Sequence, residues 1–215
     1  MSLLDYKLYY ERNLPHYQSP GATLFITFRL AGSLPAHVLR ELRAEAGRLE
    51  AAIEQHGTSQ GRQQLRYQMQ RRLFGRWDEA LHVQESGPFW LREPGVAGLA
   101  ADSMHYRDGR VYVLRAFCIM PNHVHIVFTP LAKPDGSYYA MSAIMHSLKL
   151  HIASEANALL GREGQFWQHE SYDHEVRDEA ELTRIIEYVL HNPVKAGLAR
   201  AWQEWQWNYL SPMAG

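Results

Sequence analysis

The sequence predicts an α+β fold, a mostly antiparallel sheet with helices packed on one face. Three observations support this. Thr23–Leu30 is a breaker-free run rich in β-branched and aromatic residues, the composition of a strand, and of a central one. Two apolar segments, Arg110–Met120 and Val124–Thr129, flank Pro121-Asn122, which reads as a tight hairpin. The order strand, long helix, hairpin, helix, helix does not alternate as a βαβ chain would, which argues against a parallel sheet.

Each element has its own signals. Residues 1–20 are polar and aromatic and read as an irregular arm. Ser33-Leu34-Pro35 opens a helix rich in Ala, Leu, Glu and Arg that runs to about Gln55, with Gly57 closing it. A second helix spans about 60–81, and Gly87-Pro88 breaks the chain. A short helix at about 94–106 completes a helical insertion, about 34–106, in a single domain of 215 residues. After the hairpin, 131–138 is a loop, and a helix runs from about Tyr139 to Leu160, where Gly161 ends it. Residues 164–177 read as an aromatic and histidine-rich connection. Asp178, with Glu181 three residues on, makes a capping box for a last helix that Pro193 and Gly197 stop. The tail is dense in tryptophan: Trp202, Trp205 and Trp207. These pack as a lid or stack on bases.

Composition narrows the function. Hydrophobic residues make up 46% of the chain and supply a core. No apolar run approaches the roughly 18 residues that span a bilayer, and Met1–Lys7 lacks the pattern of a signal peptide. A single cysteine, Cys118, sits in an apolar strand as a core residue and fits a reducing, cytoplasmic setting. The net charge of −1 confines any nucleic-acid surface to a local patch. The best patch is 60–77, where Arg62, Arg66, Arg72 and Arg76 share a helical arc of about 120°. These arginines either touch DNA or cover apolar surface with their stems. Lys149, with His146 and His151, is the second basic candidate or a solvated helix face.

Two constellations carry chemistry. His123-Val124-His125 places two imidazoles on one strand face. They form either a solvated pair or a grip on one divalent ion. The apolar neighbours Ile119, Met120, Ile126, Val127 and Phe128 favour burial, where two unpartnered imidazoles would be costly. In Tyr188-Val189-Leu190-His191-Asn192, the phenol and the amide lie about 40° apart on a helix. They flank the stripe Leu182, Ile185, Ile186 and Val189. A phenol can attack phosphorus if its developing charge is stabilised. Equally, Tyr188 can be a rim tyrosine and Asn192 a helix cap.

Met120-Pro121-Asn122-His123-Val124-His125, followed by Ile126-Val127-Phe128, and Tyr188 through Leu198 with Asn192-Pro193-Val194-Lys195-Ala196-Gly197 between, resemble the REP-associated tyrosine transposases. That family is a branch of the HUH single-strand nucleases. Arg12-Asn13-Leu14-Pro15-His16, Phe166-Trp167-Gln168 and Tyr172-Asp173-His174 carry the same resemblance. It implies a ferredoxin-like sheet with the HUH motif on a central strand. It also implies His123 and His125 as metal ligands, Asn192 as the third, and Tyr188 as the nucleophile. The implied reaction cuts one strand of hairpin or palindromic repeat DNA, leaves a 5′-phosphotyrosine, and rejoins it, with Mg²⁺ or Mn²⁺. The implied partner is single-stranded or hairpin DNA, the implied setting a cytoplasmic, nucleoid-associated monomer or homodimer. One rival is a histidine-triad nucleotide hydrolase, but Val127 stands where its third histidine is needed. The other is a domesticated DNA-binding protein that holds palindromic DNA without cutting.

Overall fold

The computed structural model describes residues 9–11, 15–17, 19–55, 58–82 and 87–212. Most of the N-terminal arm, including Met1–Lys7 and Arg12-Asn13-Leu14, lies outside them. The chain divides into two compact units, Met1–Ala31 with Phe89–Gly215, and Gly32–Pro88.

In the larger unit, β1 (Tyr9–Glu11) and β2 (Pro15–Tyr17) pair antiparallel, so part of the expected irregular arm is regular. Then come β3 (Leu24–Leu30), a short 3₁₀ turn, α3 (Pro94–Arg107), β4 (Tyr112–Ile119), β5 (His123–Pro130), α4 (Met141–Leu159), β6 (Trp167–Glu175), α5 (Glu179–Leu190), α6 (Asn192–Lys195) and β7 (Asn208–Leu210). The smaller unit holds α1 (Ala36–Glu54) and α2 (Ser59–His82). The sheet order is β6-β3-β5-β4-β7, and every pairing in it is antiparallel. Taken without β7, β3-α3-β4-β5-α4-β6 is the split βαβ pattern of a ferredoxin-like core. β5, the middle strand, begins at His123.

Alternation along the strands divides the sheet into two apolar faces. Leu24, Ile26, Phe28, Leu114, Phe117, Ile119, Val124, Ile126 and Phe128 form the main core with Val96, Ala100 and Met104 of α3 and Ile144, Leu148 and Ile152 of α4. Tyr112 stacks on Phe128 and donates its hydroxyl to the Met104 carbonyl at 2.7 Å, which ties α3 to the sheet. Burial pushes the Tyr112 phenol well above its ordinary pKa, so this tyrosine stays neutral and inert. The opposite face presents Phe25, Thr27, Ala116, Cys118, His125 and Val127, all buried, and α5 lies across it. The sequence predicts one helix layer; α3 and α4 form it, and α5 adds a second. The apolar stripe shows that α5 is amphipathic but not which side of the sheet it covers.

The segment expected to be a connection, 164–177, contains the edge strand β6, which pairs with β3 in the register Phe25↔His174 and Thr27↔Tyr172. The tryptophan tail packs on the protein. Trp205 donates its indole N–H to the Ile119 carbonyl, Trp207 joins the main core, and β7 extends the sheet beside β4.

The smaller unit is a helical hairpin around Ile53, Met69 and Leu73. Its two ends meet: the first carbon of a side chain at Gly87 would stand 3.5 Å from the Gly32 carbonyl oxygen.

Candidate active site

The hairpin turn sets the site. Met120 donates its N–H to the His123 carbonyl at 2.9 Å, closing the turn and starting β5 on the histidine. His123 and His125 then point to the α5 face, 1% and 0% exposed. Their Nε2 atoms approach to 3.0 Å.

The remaining nitrogens are held by Asn122, which the sequence marks only as a turn residue, and Thr27, which it marks only as a strand residue. Asn122 Oδ1 lies 2.6 Å from His123 Nδ1, and Thr27 Oγ1 lies 2.7 Å from His125 Nδ1. A carbonyl oxygen only accepts, so His123 Nδ1 donates to Asn122, and in the neutral ring the Nε2 lone pair then faces His125. Two arrangements satisfy that pair: His125 donates through Nε2, or both lone pairs share a cation. The second fits a divalent ion. Two converging imidazole nitrogens 3.0 Å apart could both reach one such ion, which would act as a Lewis acid. The side-chain contacts at Nδ1 are those that orient metal-binding histidines.

Tyr188 arrives from α5. Asp178 caps this helix, its carboxylate accepting from the Glu181 N–H at 2.7 Å as the capping box predicts. Leu182, Ile186, Val189 and Leu190 are buried, whereas Ile185 is only half-buried. This rotation sets the half-buried Tyr188 ring edge-on to His125 at 5.8 Å and to Phe25 at 6.1 Å between centroids. Both ends of α5 are clamped. The buried Glu181 carboxylate takes His174 Nε2 at 3.2 Å and Arg177 Nε at 3.1 Å. At the other end, Asn208 of β7 donates to the Leu190 carbonyl at 2.9 Å.

Asn192, four residues after Tyr188, is fully buried at the start of α6. Gly197, at φ 69°, supplies the left-handed residue that ends this helix, with the Leu198 N–H on the Pro193 carbonyl. Lys195 Nζ sits 4.1 Å from the centroid of the Tyr188 ring. Its spacing of seven residues from Tyr188 was a signal, but the break between α5 and α6 hides it. Tyr172 and His174 also lie on the site face, by their register with Thr27 and Phe25. Cys118 is buried opposite His125 in the β4–β5 ladder, as a core residue.

The basic candidates have partners of their own. Within the smaller unit, Arg66 pairs with Glu50 and Glu54, and Arg72 and Arg76 pair with Glu45. Arg62 shares their helix. Lys149 donates to the Gln168 and His169 carbonyls and to Ser171, bridging α4 to β6 along a groove of about 450 Å³. Within the larger unit the structure brings Tyr188, His123 and His125 together.

No family model matches the chain. A curated protein of Haemophilus influenzae, provisionally named a REP-associated tyrosine transposase, is 24% identical over 98 residues. The match covers 43% of this chain and 56% of that relative. A solved REP-associated tyrosine transposase bound to a REP hairpin superposes with a TM-score of 0.51 at 16% identity, over 93% of this chain and 80% of the other. The chain is thus similar to REP-associated tyrosine transposases, in sequence over the matched segment and in fold over nearly its whole length.

Proposed function

We propose that the chain is a metal-dependent single-strand DNA endonuclease and transposase that cuts and rejoins hairpin or palindromic repeat DNA through a 5′-phosphotyrosine. The observation that supports it most is the meeting of the Tyr188 ring with the converging imidazoles of His123 and His125 on one sheet face. A divalent ion, Mg²⁺ or Mn²⁺, held by these histidines with Asn192 as third ligand, would polarise the scissile phosphate and offset its growing charge.

The chain's own residues do the rest. Asn122 and Thr27 hold the two rings so that their Nε2 atoms converge. The Tyr188 oxygen forms a bond to phosphorus, and the bond from phosphorus to the 3′ oxygen breaks. The phenol proton ends on that oxygen as a 3′-hydroxyl. The tyrosyl ester conserves the bond energy for rejoining. The clamped α5 sets the phenol's place before DNA arrives, which removes an orientational cost from the step.

A hairpin labelled at its 3′ end, incubated with the protein and Mn²⁺ and then denatured, is expected to leave label on the protein, and none with EDTA. Hairpin binding without label in Mn²⁺ or in Mg²⁺ would make the non-catalytic DNA-binding reading the better one.

Arg62, Arg66, Arg72 and Arg76 are proposed as DNA contacts through the surface they leave to solvent, and Lys149 through the α4–β6 groove. Arg72 and Arg76 are 68% and 50% exposed. Replacing both with alanine is expected to make the slope of log affinity against log salt shallower by about one to two units. An unchanged slope would leave them only as partners of Glu45. The reading implies a cytoplasmic, nucleoid-associated protein, monomer or homodimer. Among the described residues no helix is long and apolar enough to cross a membrane.

A further inference from the structure

We infer that Lys195 is a positioning residue for Tyr188, an inference that rests on the reading above and deepens it. The chain after α5 bends at His191 and restarts as α6 at Asn192. This carries Lys195 back over the Tyr188 ring, with its ammonium nitrogen 4.1 Å from the centroid. The ring also meets Phe25 and His125 edge-on.

The ammonium acts in two ways. It is attracted to the ring's negative face, which fixes the plane of the ring and hence the direction of the phenol oxygen. It also acts on charge. As the phenol proton leaves, negative charge on the oxygen spreads into the ring until the bond to phosphorus takes it up. A cation above that ring stabilises the charge more than it stabilises the neutral phenol. The interaction is therefore stronger in the transition state than in the ground state, which is the condition for raising a rate.

The test compares the single-turnover rate of adduct formation at saturating hairpin with the hairpin's affinity. Lys195 is exposed, so its variants are expected to fold, with thermal melting as the control. Lys195→Met is expected to slow the adduct by about five- to thirtyfold, with affinity held within about twofold. Lys195→Arg, which keeps a cation over the ring, is expected to recover most of the rate. A Met variant at the wild-type rate, or one in which only affinity falls, overturns the inference. A wild-type protein that forms no adduct overturns the proposed function and this inference together. A wild-type adduct with an unaffected Met variant overturns this inference alone.

Discussion

Tyr188→Phe is expected to abolish the covalent protein–DNA adduct, a loss of at least about a thousandfold, while hairpin affinity changes little. The substitution removes one oxygen and keeps the ring that packs on Phe25 and His125. The site is half-buried, so stability is expected to move by no more than about 1 kcal/mol. Loss of the adduct with the melting temperature preserved separates chemistry from folding. A free phenol has a pKa near 10 and is a weak nucleophile at neutral pH, so its placement beside the histidine pair matters more than its own reactivity. If the Phe variant still forms the adduct, the nucleophile is another tyrosine. Tyr172, also against Phe25 at 6.1 Å, would be tested next.

The second large effect is expected at the histidine pair. In isothermal titration or manganese spin resonance, the wild type should bind one Mn²⁺ per chain. His123→Ala and His125→Ala should each lose that binding and lower the adduct rate by about a hundredfold or more. Each also leaves a partner facing a void, Asn122 Oδ1 or Thr27 Oγ1, at a cost of about 1–3 kcal/mol. Thr27→Val separates the two effects. It keeps both imidazoles and removes one hydrogen bond, so it should weaken Mn²⁺ by about ten- to a hundredfold without abolishing it. Unchanged Mn²⁺ binding in His123→Ala and His125→Ala would show that the rings serve only each other.

Much of this architecture is legible in the sequence because local chemistry dictates it. Leu24–Leu30 is apolar or β-branched at every position but Arg29. Pro121-Asn122 leaves the chain little choice but to turn, and the capping residues of α5 satisfy backbone groups within four positions. Period-two spacing alone puts His123 and His125 on one face. What was hidden depends on distant partners. β6, with His169, Glu170, Asp173 and Glu175 along it, has no apolar alternation, because an edge strand can keep polar side chains in solvent. Thr27 is an ordinary residue of an apolar strand until cross-strand register sets it opposite His125. The side of the sheet that α5 covers follows from β6 and β7, which hold its two ends.

The meeting of Gly32 and Gly87 at the ends of the helical hairpin bears on how the chain folds. Arg29 and His123 are partners in register, yet roughly 90 positions separate them along the chain. An open segment of that length makes their encounter costly in chain entropy. More than half of the segment is Gly32–Pro88, whose contacts are local and whose folding joins its own ends. Once that hairpin has formed, β3 and β5 search for each other across a much shorter tether. The closure cost falls by about 1 kcal/mol. The long insertion between β3 and α3 is thus nearly silent in the nucleation of the sheet.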